Sequence, residues 1–151
     1  MPENWRKLQI ANRDAAEPLT SGEIEVAPRL RVLVVDDNKD AAQSLAMLLK
    51  FLGHEVHTAY DGEAAGAAAE LYRPVLVLMD LGMPNVDGYE ACRRIRAKPW
   101  GAEPFLVALT GWGSNDDQQR TREVGFDRHL VKPVGLDVIE NIVGESSTNS
   151  K

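Results

Sequence analysis

With 151 residues and a single cysteine, the chain can bury one real core and cannot form an internal disulfide. Its net charge of −6 argues against a general basic face for nucleic acid, and its 44% hydrophobic and 26% charged residues are ordinary for a globular protein. Apolar runs of at most five or six residues are far too short to span a bilayer. The N-terminus lacks the apolar stretch of a signal peptide, so a cytoplasmic, reducing setting is expected, with Cys92 as a core residue.

Residues 1–28 carry no sustained apolar period and read as an N-terminal extension or linker. A short helical piece over 5–16 would place Trp5 and Leu8 on one face, but so short a helix is marginal alone. Leu30-Arg31-Val32-Leu33-Val34-Val35 then predicts a first strand running into Asp36-Asp37. Asn38 can cap the helix that follows, whose Leu45, Leu48, Leu49 and Leu52 repeat at i, i+3, i+4, i+7. Gly53 falls where a left-handed cap is wanted, and Glu55-Val56-His57-Thr58-Ala59 predicts a weak second strand. Asp61 caps an alanine-rich helix through Tyr72, closed by Pro74.

The third strand, Val75-Leu76-Val77-Leu78-Met79, ends at Asp80. Asp87-Gly88 starts a helix carrying Tyr89, Cys92 and Ile95 inward, with Arg93, Arg94 and Arg96 on a solvated face. Phe105-Leu106-Val107-Ala108-Leu109 forms a fourth strand ending in Thr110. A helix over 116–124, capped by Ser114 or Asn115, has Val124 as its one clearly apolar interior residue and should pack loosely. A fifth strand over 128–131 runs into Lys132-Pro133. Leu136, Ile139, Ile142 and Val143 make a short last helix, and residues 146–151 read as a disordered tail.

Five strands alternating with amphipathic helices call for a parallel sheet covered on both faces. In such sheets ligands bind beyond the carboxyl ends of the strands, where the strand order reverses. Asp36, Asp37, Asp80, Thr110 and Lys132 all fall at such ends. Three carboxylates, a hydroxyl and an ammonium can hold a hard divalent cation and accept a phosphoryl group. Each residue also has a plainer reading. An aspartate after the first strand can serve as a helix cap, Thr110 can be a turn residue, and Lys132 can be a solvated lysine.

Val34-Val35-Asp36-Asp37-Asn38, Met79-Asp80-Leu81-Gly82-Met83-Pro84 with Asp87-Gly88, Ala108-Leu109-Thr110-Gly111 and Leu130-Val131-Lys132-Pro133 occur in that order. Together they resemble the receiver domain of two-component response regulators. The resemblance covers residues 29–144, and the receiver domain is placed at 29–145. It implies a flavodoxin-like, doubly wound α/β fold with strand order 2-1-3-4-5.

It also implies Asp80 as phosphoacceptor, with Mg²⁺ (Mn²⁺ an alternative) bound by Asp37, Asp80 and the backbone carbonyl of Gly82, and by Asp36 mainly through a water. Thr110 and Lys132 would contact the phosphoryl oxygens, and Lys132-Pro133 would be a cis peptide. The implied role is a phosphorylation switch that catalyses its own phosphoryl transfer from a histidine kinase or phosphotransfer protein. Its output partner stays unnamed, with no direct nucleic-acid or membrane contact. A homodimer through the fourth and fifth helices is an arrangement the family allows. The Thr110-Gly111-Trp112-Gly113 and Asp127-to-Pro133 stretches look most like receivers of hybrid sensor kinases.

The chain departs from the pattern in one place. Three residues before Lys132, where the family carries an aromatic switch residue, stands His129. Its imidazole either moves between packed and exposed positions as an altered switch, together with Thr110, or plays no such part. The resemblance implies that Gly82 and Trp112, two residues after Asp80 and Thr110, flank the phosphoryl site, where a shielding Trp112 would slow autodephosphorylation. The rival class is a metal-dependent phosphohydrolase with an aspartyl nucleophile. Such enzymes use Asp-x-Asp, whereas here the aspartates are adjacent and Asn38 takes the second place.

Overall fold

The computed structural model describes residues 29–111 and 115–148. The segment 1–28 with its expected helical piece, Trp112, the candidate cap Ser114, and residues 149–151 lie outside the described residues. Strands β1 (Arg31–Val35), β2 (Glu55–Ala59), β3 (Leu76–Asp80), β4 (Phe105–Thr110) and β5 (Arg128–Val131) form one sheet in the order β2-β1-β3-β4-β5. Every neighbouring pair is parallel. Helices α1 (Lys39–Phe51), α2 (Gly62–Tyr72), α3 (Gly88–Arg96), α4 (Asn115–Val124) and α5 (Leu136–Thr148) connect or follow the strands. This is the doubly wound, flavodoxin-like fold that the alternation predicts.

The period-2 alternation of the central strands sorts the core into two halves. Leu33, Val35, Val77, Met79, Leu106 and Ala108 face α2 and α3, meeting Ala65, Ala69, Tyr89, Cys92 and Ile95. Val32, Val34, Leu76, Leu78, Val107 and Leu109 face α1 and α5, meeting Ala42, Ala46, Leu49, Ile139 and Ile142. Burying each Leu or Val side chain is worth about 1.5–3 kcal/mol, so these two seams hold the helices to the sheet.

Local signals set the helix ends. Asn38, Asp61 and Asp87 each sit in extended backbone and accept from the amide three residues on, at 3.0, 2.6 and 2.9 Å. These bonds satisfy amides that lack helical partners. Gly53 takes φ +99° after α1. α2 ends at Tyr72 ahead of Pro74, as expected, and Arg73 itself adopts the left-handed cap at φ 50°, because Pro74 disfavours the right-handed region for its predecessor. The Arg31 guanidinium on β1 donates to the Arg73 carbonyl at 2.6 Å, holding that end.

Three expectations need amendment. Arg93 and Arg94 do lie on a solvated face, paired with Glu90 at 2.7 and 3.0 Å. Arg96 does not: it donates to the carbonyls of Gly125, Gly101 and Pro104 at 2.9, 2.8 and 2.9 Å and to the Asp127 carboxylate at 2.9 Å. The residues expected to begin a disordered tail continue α5 instead. Ser146 is 1% exposed, and Ser146, Ser147 and Thr148 donate their hydroxyls to carbonyls three residues back. Their polarity is satisfied within the helix, so it does not end the helix. Finally, α4 buries Thr121 to 1% exposure and accepts the Cys92 thiol at the Val124 carbonyl, 3.4 Å away. Burial pushes that thiol up to about 12, which makes it an inert core residue.

Candidate functional site

The order β2-β1-β3 reverses the chain's direction of travel between β1 and β3, and in such sheets ligands bind beyond the strand ends at that point. β1 delivers Asp36 and Asp37 to it and β3 delivers Asp80. Carboxylate oxygens of the three lie within 4.8 Å of one another. Asp36 is 4% exposed and Asp80 9%. Desolvated carboxylates this close repel one another unless cations stand among them.

Lys132, just past β5, supplies one cation. Its Nζ donates to Asp36 Oδ2 at 2.9 Å and lies 3.1 Å from Asp80 Oδ1. Burial alone would lower the ammonium's pKa, but hydrogen bonds and charge from Asp36 and Asp80 outweigh it, and the net shift is upward. Lys132 is held by its backbone too, its N–H donating to the Thr110 carbonyl at 2.7 Å. The Lys132–Pro133 peptide bond is cis.

The loops after the strands are equally constrained. Asp36 Oδ1 accepts the Asn38 N–H at 3.0 Å, while the Asn38 side chain caps α1. The capping reading of the aspartates is therefore answered: Asn38 is the cap, and Asp37 is left for the cluster. Leu81 N–H donates to the Leu109 carbonyl at 3.0 Å and Gly88 N–H to the Leu81 carbonyl at 3.1 Å. A Cβ at Gly88 would lie 2.6 Å from the Asp80 carbonyl oxygen and 2.8 Å from Leu81 Cα. Asp87-Gly88 reads in the sequence only as a turn and helix start. In the fold, the missing side chain lets α3 pack directly onto the backbone that carries Asp80.

Thr110 ends β4, is 8% exposed and pairs with Val131 across the ladder. Gly82 is exposed, and a Cβ there would meet nothing within 4 Å. His129 pairs with Ala108 in the ladder, and both of its ring nitrogens are buried. The structure thus brings Asp36, Asp37, Asp80 and Lys132 into one cluster, with Thr110 tied to it through backbone. Three hard oxygen donors suit Mg²⁺, which takes few protein carboxylates and keeps waters.

Comparison with known proteins identifies the family and the fold. The response regulator receiver domain family matches residues 32–144, and the chain belongs to that family. It is 36% identical over 132 residues to the gliding motility regulatory protein of Myxococcus xanthus, covering 87% of this chain and 17% of that protein. It is 36% identical over 148 residues to the virulence sensor protein BvgS of Bordetella pertussis, covering 93% of this chain and 12% of that one. The chain therefore spans a small fraction of these relatives. The receiver domain of the sensor histidine kinase PA1611 from Pseudomonas aeruginosa, solved with a magnesium ion in its active site cleft, superposes with TM-score 0.74 at 30% identity. That match covers 81% of this chain and all 100% of the other. The chemotaxis protein CheY4 of Vibrio cholerae gives 0.75 at 28% identity, covering 79% and 99%. The chain is a receiver domain of two-component signalling, and among its described residues no helix is long and apolar enough to cross a membrane.

Proposed function

We propose that Asp80 is the phosphoacceptor and that Asp36, Asp37, Thr110 and Lys132 serve the transfer. The observation that carries this reading is the buried Asp80 carboxylate, 3.1 Å from the Lys132 ammonium within the Asp36–Asp37–Asp80 cluster. An Asp80 oxygen attacks the phosphorus of a phosphohistidine donor. The new O–P bond forms as the P–N bond breaks, and the departing imidazole takes its proton from solvent. Lys132 shifts from Asp80 towards a phosphoryl oxygen, and the Thr110 hydroxyl donates to another, so that charge developing on the equatorial oxygens meets donors. Asp37, Asp80 and the Gly82 carbonyl, with Asp36 through water, would hold Mg²⁺, which supplies charge neutralisation at the carboxylates and the transferring group.

On this reading the domain takes its phosphoryl group from a histidine kinase or a phosphotransfer protein, works in the cytoplasm and catalyses its own phosphorylation. The family match over residues 32–144 supports a receiver over 29–145, whose last helix continues to Thr148, with the segment 1–28 acting as a linker. His129, packed against the same ladder as Thr110, would report the change to a partner. The test incubates the chain with Mg²⁺ and acetyl phosphate and compares intact masses of wild type and Asp80→Ala. One labile phosphoryl group on the wild type alone is expected. Multiple turnovers of a small phosphate ester, without a stoichiometric adduct, would contradict it.

A further inference from the structure

α4 is the least apolar helix of the fold, with sequence Asn-Asp-Asp-Gln-Gln-Arg-Thr-Arg-Glu-Val, and hydrophobic burial alone cannot fix where it lies. Beside the Cys92 thiol's bond to the Val124 carbonyl and the burial of Thr121, a stacking contact compensates. The Arg120 guanidinium stacks on the Tyr89 ring, its Cζ 3.8 Å from the centroid. The ring is 8% exposed. Burial first, and the charge of Asp117 second, raise the phenol above its ordinary value, so a neutral ring faces the cation. With the ring buried and Arg120 on the exposed side, a stack of this kind shifts an equilibrium by roughly three- to tenfold.

The two partners differ in how firmly they are held. Tyr89 follows Gly88, where a Cβ would collide with the Asp80 carbonyl and Leu81, and it packs in the same core half as Met79 and Leu81. The ring is thus fixed to the backbone of the acceptor strand. Arg120 sits on α4, which begins five residues after Thr110, so a displacement of Thr110 towards a phosphoryl group would bear on where α4 lies.

We propose that the Arg120–Tyr89 stack is a latch that positions α4 against the acceptor strand and so sets the balance between the resting and phosphorylated conformations. The proposal rests on the reading of Asp80 as acceptor. Arg120 is a positioning residue here: it biases α4, while the phosphoryl chemistry belongs to the strand-end cluster. Breaking the stack lowers the cost of moving α4, and a phosphoryl mimic then binds more tightly by linkage.

The test titrates beryllofluoride in Mg²⁺ into wild type, Arg120→Met, Arg120→Lys, Tyr89→Leu, Tyr89→Phe and the Arg120→Met/Tyr89→Leu double variant. In parallel, amide exchange of α4 is followed without the mimic. Arg120→Met and Tyr89→Leu should each bind about three- to tenfold tighter and exchange α4 amides faster by a similar factor. Tyr89→Phe keeps the ring and Arg120→Lys keeps a cation, so both should stay near wild type. The double variant should exceed neither single change. If wild type binds the mimic and Arg120→Met binds it no tighter, or if the double variant is additive, the latch is wrong. If wild type binds none, the Asp80 reading fails instead, and unchanged α4 exchange in Arg120→Met would then refute the latch on its own.

Discussion

Replacing Lys132 by methionine keeps most of its aliphatic volume and removes the cation that lies 2.9 Å from Asp36 and 3.1 Å from Asp80. Stripping one partner from a fully buried ion pair costs about 3–5 kcal/mol, because the other charge stays buried and unpaired. The Lys132 side chain is 34% exposed, so solvent recovers part of that, and about 1–3 kcal/mol is expected. The carboxylates it leaves behind lie within 4.8 Å of one another, a raw repulsion of roughly 3 kcal/mol per pair at an effective dielectric near 20. For a domain of this size the loss corresponds to a melting point lower by roughly 5–10 °C. Thermal melts in chelator and in millimolar Mg²⁺ provide the assay. The gap should be wide in chelator and narrow in Mg²⁺, because the metal then neutralises the same oxygens. Equal stability in chelator, or a gap that Mg²⁺ leaves unchanged, would refute the view that Lys132 holds the carboxylate cluster together in the resting state.

Asp37→Asn should act in the opposite sense: removing one like charge raises stability in chelator by about 0.5–1 kcal/mol while abolishing most of the Mg²⁺-dependent rise in melting temperature. Arg96→Met strands three loop carbonyls and Asp127 and should cost about 2–4 kcal/mol in urea unfolding, with Arg96→Lys a poor rescue because an ammonium cannot reach in several planar directions at once. His54 Nδ1 accepts the Leu30 N–H at 3.2 Å, and burial, then the charge of Arg29, lower its pKa from 6.5. As pH falls below 6.5 the unfolded chain gains a proton that the folded imidazole resists. Stability is therefore lost below that value and unaffected by this group above it. His54→Gln should flatten that part of the pH–stability curve, as urea midpoints at pH 8, 6 and 5 would show.

The fold was legible because its signals are local. Apolar runs ending at Asp37, Asp80, Thr110 and Lys132 mark strands, and Asn38, Asp61 and Asp87 announce the helices they cap. The residues of the site were legible for the same reason, since a parallel sheet turns strand ends into neighbours. What escaped depends on distant backbone. Arg96 looks like its neighbours Arg93 and Arg94 until the turns at Gly101, Pro104 and Gly125 present their carbonyls to it. Nothing local marks His54, and only the fold brings the Leu30 amide to its ring. The resting engagement of Lys132 with Asp36 spans 96 residues, and nothing near either residue signals it. α5 outran its apolar stripe because its serines bond their own helix.

The central claim is that the phosphoryl group resides on one particular carboxylate of three. Borohydride reduces an aspartyl phosphate to homoserine and leaves free aspartate untouched. Peptide mapping after acetyl phosphate, Mg²⁺ and borohydride therefore reads the acceptor directly. Homoserine is expected at position 80, with intact aspartate at 36 and 37. Conversion at Asp36 or Asp37, or conversion that persists elsewhere in Asp80→Ala, would contradict it.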